Sequence, residues 1–463
     1  MPDVAELLAR TNAAVVAPAG HGKTEMIANV AAKCRRALVL THTHAGVHAI
    51  RARLKRMRFP YHQAAVDTIA GWSTRYAHAF PGVALPPQGD PRNGDEWNQL
   101  YRGPTHALAV PAIREVVRSS YDRILVDEYQ DCTPLQHQLA VALSAIVPTL
   151  IFGDEMQGIF EFAGATLDWN QQIYPHFPLA GTLDIPHRWN EKSPALGAWI
   201  AETRERLRNG DAIDLYDSRI AYRESEDAFD MGTLFDGIDG KEGSFAAIHC
   251  NKGICYRLAR AAGGGYQAIE EIAANRLRAF AAHWDGAADG RLQAIQELIA
   301  DSFHQRQADY NQVRDLEAEV VESAFRNLAA ALDDDNGAGA AVRILPLARK
   351  HPRWKLYRGE LWRDAERAAA EVAAGRADSM TAAVDNIRRR TSAIGRRLPK
   401  RTVSTPLLLK GLEFDHVVIP DASAFERESQ AQAKLFYVAI SRATRSLTIA
   451  SPRRWLYFPP LRT

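Results

Sequence analysis

Cysteine is scarce in this chain, and the four present (Cys34, Cys132, Cys250 and Cys255) are scattered over 463 residues. That scatter excludes a disulfide framework and fits a reducing cytoplasm. The Cys250/Cys255 spacing is a weak metal signal beside the plainer reading of packed thiols. Long apolar runs are missing as well. No stretch is long enough to span a bilayer, and the N-terminus lacks a signal-peptide core, so no membrane association is expected. Neither sign of charge dominates: 57 Lys and Arg stand against 55 Asp and Glu, a formal +2. Any nucleic-acid contact must therefore come from local basic patches. There is no short-period repeat. What remains is an ordinary globular composition, 46% hydrophobic and 24% charged, in a chain long enough for roughly two to four domains.

One stretch organises the rest: Val15-Val16-Ala17-Pro18-Ala19-Gly20-His21-Gly22-Lys23-Thr24. Two β-branched residues end a buried strand, a small-residue turn follows, and Lys-Thr opens a helix. This is the strand, phosphate loop, helix order of a P-loop. Ala19, Gly20, His21 and Gly22 would bring backbone N–H groups to a phosphate chain, at a helix N-terminus that favours anions. Lys23 would reach the β- and γ-phosphates, and the Thr24 hydroxyl would bind Mg²⁺, with Glu25 next in the helix. The strict pattern has Gly where this chain has Ala17.

Downstream, Ala37 to Thr41 and Ala64 to Thr68 read as short strands, with a basic helix from Gly46 to Met57 between them. Its Arg51, Arg53, Lys55 and Arg56 suit either a solvated face or phosphate contact. Residues 80–115, rich in Pro, Gly, Asp and Asn, read as a small insertion with loops. Ile124-Leu125-Val126-Asp127-Glu128 is an apolar strand ending in two carboxylates, and Thr149 to Asp154 repeats the form. Strands alternating with helices predict a parallel α/β sheet with ligands at the carboxyl ends of its strands. Asp127 there suits Mg²⁺, and Glu128 suits orientation of an attacking water. After Ile185 the pattern restarts, with a helix from Ser193 to Arg208 and a strand from Phe245 to His249. From Ala268 to about Ile394 the chain reads as Ala/Arg/Glu/Leu-rich helix. Strands return at Arg401 to Ser404, Val417 to Ile419 and Leu447 to Ile449.

Four further runs occur in order: Val126-Asp127-Glu128-Tyr129-Gln130-Asp131, Gly153-Asp154-Glu155-Met156-Gln157-Gly158-Ile159-Phe160, Lys410-Gly411-Leu412-Glu413-Phe414-Asp415 and Phe436-Tyr437-Val438-Ala439-Ile440-Ser441-Arg442-Ala443. With the P-loop, they resemble the UvrD/Rep/PcrA-like helicases of superfamily 1. The resemblance implies an α/β fold of two RecA-like P-loop NTPase domains, with a small insertion in the first and a mostly helical insertion in the second. The first domain would hold residues 1–79 and 116–185, with 80–115 inserted. The second would hold 186–264 and 400–463, with 265–399 inserted. It further implies ATP and Mg²⁺ as ligands, single-stranded DNA as partner, and 3′-to-5′ helicase or translocase activity. Residue by residue, Lys23, Asp127 and Glu128 take the hydrolytic roles, and Thr24 and Asp127 hold the metal. Gln157 sits at the γ-phosphate-sensing glutamine, and Arg188 and Arg442 sit at the two arginine positions. Glu413, beside Gly411, matches a ribose-contacting glutamate. His187 stands where the family stacks a tyrosine on the base.

The departures from the family fall mainly on the DNA side. No glutamine motif precedes the P-loop. The family's Thr-Phe-Thr-Asn-Lys is here Thr41-His42-Thr43-His44-Ala45, and its Thr-Phe-His is Thr68-Ile69-Ala70. Its Tyr-Gly-Trp-Arg-Gly-Ala is Phe160-Glu161-Phe162-Ala163-Gly164-Ala165, and its histidine before Lys-Gly-Leu-Glu is Leu407. Ala70, Ala163 and Leu407 offer neither an aromatic face nor a phosphate donor. Candidate nucleic-acid contacts are then Thr41, Thr68, Phe162, Thr405 and the cluster Arg388, Arg389 and Arg390, followed by Arg396 and Arg397. A solvated helix face is the plain alternative for that cluster. His42 and Trp72 are possible substitutes, or packing. The His42/His44/His48 run lacks partners at ligand spacing. These losses raise a second expectation: an ATP-driven regulatory or switch subunit of a nuclease or other protein partner, with antiviral defence as an analogy.

Overall fold

The computed structural model describes residues 2–60, 63–89, 91, 93–159, 167–238, 240–262, 265–268, 272–305, 312–334, 337–394, 399–428 and 431–461. By their contacts these residues form two compact units. The first is 1–219 with 425–445 and 455–463, and the second is 220–424 with 446–454.

The first unit is built on six strands: β1 (Asn12–Val16), β2 (Ala37–Thr41), β3 (Ala64–Thr68), β4 (Arg123–Val126), β5 (Thr149–Gly153) and β6 (Leu179–Thr182). They lie in the order β3-β2-β4-β5-β1-β6, and every pairing is parallel. Parallel strands need crossovers, and helices supply them on both faces. These are α1 (Val4–Ala9), α2 (Lys23–Ala31), α3 (His44–Arg56), α4 (Ile69–Ala79), α5 (Pro81–Ala84), α6 (Gly94–Ala107), α7 (Pro111–Ser120), α8 (Pro134–Ser144) and α9 (Pro194–Asn209). Alternation along the strands sorts side chains into two cores. Leu38, Leu40, Ile124, Val126 and Ile151 pack with Trp72, Leu100, Tyr101 and Leu139 on one face. Ala37, Val39, Leu125, Leu150 and Phe152 pack with Ile27, Val30, Ile50 and Leu54 on the other.

Residues 80–115 differ from the loops expected of them. They form α5, α6 and the start of α7, and Leu100, Tyr101, Ala107 and Ile113 join the first core. Their prolines and polar residues mark helix starts: Pro81 and Pro111 open helices, and the Asn93 side chain accepts the Glu96 N–H at 2.9 Å. Residues 186–219 and the helix Gln432–Ile440 also lie within the first unit, whereas the motif order places both with the second RecA-like domain. Trp189 accounts for the first of these, because its ring packs against Gly20 in the turn between β1 and α2. It is fully buried, and its Nε1 donates to Ala443 O at 2.7 Å.

The second unit carries β7 (Ala221–Glu224), β8 (Phe245–Ile248), β9 (Gln267–Ala268), β10 (Arg401–Ser404), β11 (Phe414–Ile419) and β12 (Ala443–Ser451, of which Ser446 onward belongs to this unit). Their order is β9-β10-β8-β11-β12-β7. The β9–β10, β10–β8, β8–β11 and β12–β7 pairings are parallel. Between the neighbours β9 and β10 the chain builds a helical layer around Trp284, Ile295, Leu298, Trp362 and Val384. The architecture is thus α/β, two parallel sheets flanked by helices. No described helix is long and apolar enough to cross a membrane.

Trp72 is fully buried in the first core, stacked on Tyr76 at 4.1 Å. It is therefore a packing residue. Its Nε1 has no hydrogen-bond partner among the described residues. Trp72→Ala is expected to cost about 3–5 kcal/mol of stability. Trp72→Phe keeps a ring and removes the unpaired donor, so it should cost roughly 1 kcal/mol or less. Urea unfolding of the two variants checks the ordering.

Candidate phosphate-binding and hydrolytic site

The site lies at the carboxyl ends of β1, β4 and β5, three neighbouring strands. After β1 the chain turns through Ala17, whose N–H donates to Gly153 O at 2.8 Å. Gly20 and Gly22 then take φ +76° and +80° before α2 begins at Lys23. These glycines are required twice over. Their backbone is left-handed, and a Cβ at Gly20 would lie 2.7 Å from the Trp189 ring and 2.8 Å from Arg188 Cβ. At Gly22 it would lie 3.0 Å from the His187 ring. The Pro186–Trp189 turn thus packs directly on the phosphate loop, and Arg188 N–H donates to Gly20 O at 3.0 Å. His187 is exposed beside Gly22.

Lys23 Nζ sits 2.8 Å from Asp127 Oδ1 and 2.5 Å from Glu128 Oε1. Burial alone would lower the lysine's pKa, but the two carboxylates more than offset it and hold Lys23 above its usual range. Burial pushes the Asp127 carboxyl up, and Lys23 opposes that shift. Two carboxylates face one ammonium, so the pocket keeps an excess of negative charge suited to a divalent cation. Glu128 itself has φ +55°, strained for a residue with a side chain. Thr24 is half-buried in the first turn of α2, and Glu25 points elsewhere, into an ion pair with Arg53.

Four residues without an assigned role complete the site. Gln130 Nε2 donates to Glu128 Oε2, and its Oε1 accepts the Asp154 N–H at 3.0 Å, tying the ends of β4 and β5. Asp154, fully buried, accepts from Gln157 Nε2 at 3.1 Å and pairs with Arg204 at 2.6 Å. The Tyr437 hydroxyl accepts the Ala19 N–H at 3.0 Å. Gln130 and Tyr437 lie inside recognisable motifs. Arg204, on α9, has no local signal and is placed only by the fold. The two arginines meet at Ser441: Arg188 Nη1 donates to Ser441 O at 2.7 Å, and Arg442 Nη2 to Ser441 Oγ at 2.9 Å.

The remaining candidates are dispersed. Thr41 and Thr68 are buried, and the Thr68 hydroxyl caps α4 by accepting the Gly71 N–H at 2.9 Å. Thr405, Gly411 and Glu413 belong to the second unit, on either side of the turn Pro406–Leu409 before β11. Arg388, Arg389 and Arg390 lie on the helix Met380–Ile394. Phe162, Arg396 and Arg397 lie outside the described residues. Cys255 is a buried free thiol, pushed up to about 12 by burial.

Two family models match. That of the UvrD/REP helicase N-terminal domain covers residues 85–178, and that of the UvrD-like helicase C-terminal domain covers 403–450. The first contains Asp127, Glu128 and Gln157, and the second contains Glu413 and Arg442. No curated protein matches the chain. A solved structure described as a complex of Arterivirus nonstructural protein 10 (helicase) with DNA is similar at 14% identity and a TM-score of 0.28, over 53% of this chain. The chain spans about half of that structure's length, 49%, and so loose a likeness carries no argument. The two matched stretches, in chain order behind the phosphate loop, are thus similar to the N-terminal and C-terminal domains of UvrD-like helicases.

Proposed function

We propose that the chain hydrolyses ATP with Mg²⁺ and couples hydrolysis to movement along single-stranded DNA, in the 3′-to-5′ direction of the family it resembles. The observation that carries this is Lys23 held between Asp127 and Glu128 beneath a loop that only glycine can form. Thr24 and Asp127 would hold Mg²⁺, which supplies charge neutralisation of the phosphates. Lys23 exchanges its carboxylate partners for the β- and γ-phosphates of ATP, freeing Glu128. Glu128 then accepts a proton from the attacking water, and Gln157, oriented by Asp154, senses the γ-phosphate. Arg188 and Arg442 offer the cations that the developing charge needs. His187, beside the loop, would stack on the base, and the family resemblance gives Glu413 the ribose role.

Burial of Thr41 and Thr68 supports the second reading, a nucleotide-driven switch that controls a protein partner such as a nuclease. The two readings separate on phosphate release by the purified chain with and without oligothymidylate. Strong stimulation is expected for the motor, and a rate indifferent to DNA would remove it in favour of the switch.

Glu128→Gln should lower turnover by about 10²–10⁴-fold while ATP still binds. An unchanged rate in single-turnover assays would refute the assignment of Glu128. Gly20→Ala forces a Cβ into left-handed backbone against Trp189, so it should weaken nucleotide binding itself. Titration with a fluorescent ATP analogue should show a raised Kd, in contrast to the Glu128→Gln behaviour.

A further inference from the structure

The basic helix α3 divides into three kinds of residue. Arg53 is spent on the ion pair with Glu25. Arg51 Nη2 donates to Val66 O at 2.7 Å, capping a carbonyl of β3. Lys55 and Arg58, the latter just past the helix end, are exposed and have no partner among the described residues. Both line a cavity of about 830 Å³ that also takes in Arg51, Arg75, Phe59 and Tyr121. Among the described residues Asp67 is the one carboxylate in its wall, and it is already paired with Arg75. Four described cations and two described aromatic rings therefore surround a neutralised acid.

The cavity is not part of the hydrolytic site. It runs along β3, an outer strand of its sheet. Pro60 and Tyr121, in its wall, precede β3 and β4, at the end of the sheet opposite Asp127.

Arg58 adds an independent sign. It closes α3 in a Schellman motif: Phe59 N–H donates to Leu54 O at 3.1 Å and Arg58 N–H to Lys55 O at 3.0 Å. Arg58 has φ +55°, the position that glycine fills at least cost. The backbone alone would favour glycine there.

We propose that this groove binds a strand of nucleic acid, with phosphates at Lys55 and Arg58 and a base against Phe59 and Tyr121. The proposal rests on the nucleic-acid reading above and adds a second contact to it. An acidic peptide adding to β3 as an extra strand is the competing occupant. It is disfavoured because Arg51 already caps the Val66 carbonyl, blunting the edge.

The test is anisotropy of labelled oligothymidylate on the full chain from about 50 to 200 mM salt, for wild type and Lys55→Gln/Arg58→Gly. Losing two phosphate contacts should make the log–log salt slope shallower by about 1.4 and weaken binding roughly 20-fold near 0.1 M salt. Glycine accepts the φ of Arg58 freely, so Arg58→Gly alone should keep or raise Tm, which separates lost binding from misfolding. Wild-type binding with an unchanged slope in the double variant would overturn the groove and leave the nucleic-acid reading intact. No wild-type binding at all would overturn both. Oligoglutamate binding that is lost in the double variant, while oligothymidylate binding persists, would overturn it in favour of the peptide.

Discussion

A buried ammonium between two carboxylates is the constraint on which the first unit depends. Lys23 opens α2, and Asp127 and Glu128 follow β4, about a hundred residues later in the chain. They meet only if β1 and β4 finish at the same edge of one sheet, close together. The order β3-β2-β4-β5-β1-β6 does this by placing β5 alone between them. A buried ion triad of this kind adds little stability over an apolar cluster of the same volume. Its value is that the ammonium already has anionic partners and can change them for others. In the function proposed above, phosphate oxygens would replace carboxylates at little cost in desolvation, because Lys23 is already out of water.

A second layer fixes the first. Gln130 joins the ends of β4 and β5 through Glu128 and the Asp154 N–H, and Asp154 in turn holds Gln157. Asp154 is fully buried, and Arg204 at 2.6 Å supplies its ion-pair partner. Arg204 is also raised in pKa, with burial opposed by the stronger effect of Asp154. The glutamine proposed to sense the γ-phosphate is therefore oriented from α9, through an arginine fifty residues downstream of Asp154. The Tyr437 hydroxyl reaches the loop from a separate helix.

These layers were unequally legible in the sequence. The strands β2 and β3 were readable residue for residue, and β4 and β5 nearly so, because apolar runs bounded by polar turns are local signals. The phosphate loop was readable for the same reason, its glycines being tied to φ. Residues 80–115 were misread because proline and glycine density marks both loops and helix starts, and here Pro81 and Pro111 sit at first helical positions. Arg204 could not be read at all. One arginine among many on an ordinary amphipathic helix becomes special only when the fold brings Asp154 to it. The placement of Trp189 and its turn on the phosphate loop is likewise a tertiary fact.

Backbone strain sharpens the distinction between residues that serve the fold and residues that serve a site. Among the described residues, Arg58, Leu85, Glu128 and Ala431 have side chains at positive φ. Each costs about 1 kcal/mol relative to glycine, so strain by itself says only that the surroundings enforce it. Leu85 and Ala431 carry no charge, and their apolar side chains name no chemistry. Glu128 and Arg58 are different. The first places a carboxylate on Lys23, and the second places a guanidinium in a cavity whose described carboxylate, Asp67, is already paired. In both, glycine would serve the backbone better, and only the charged group accounts for the residue that is there.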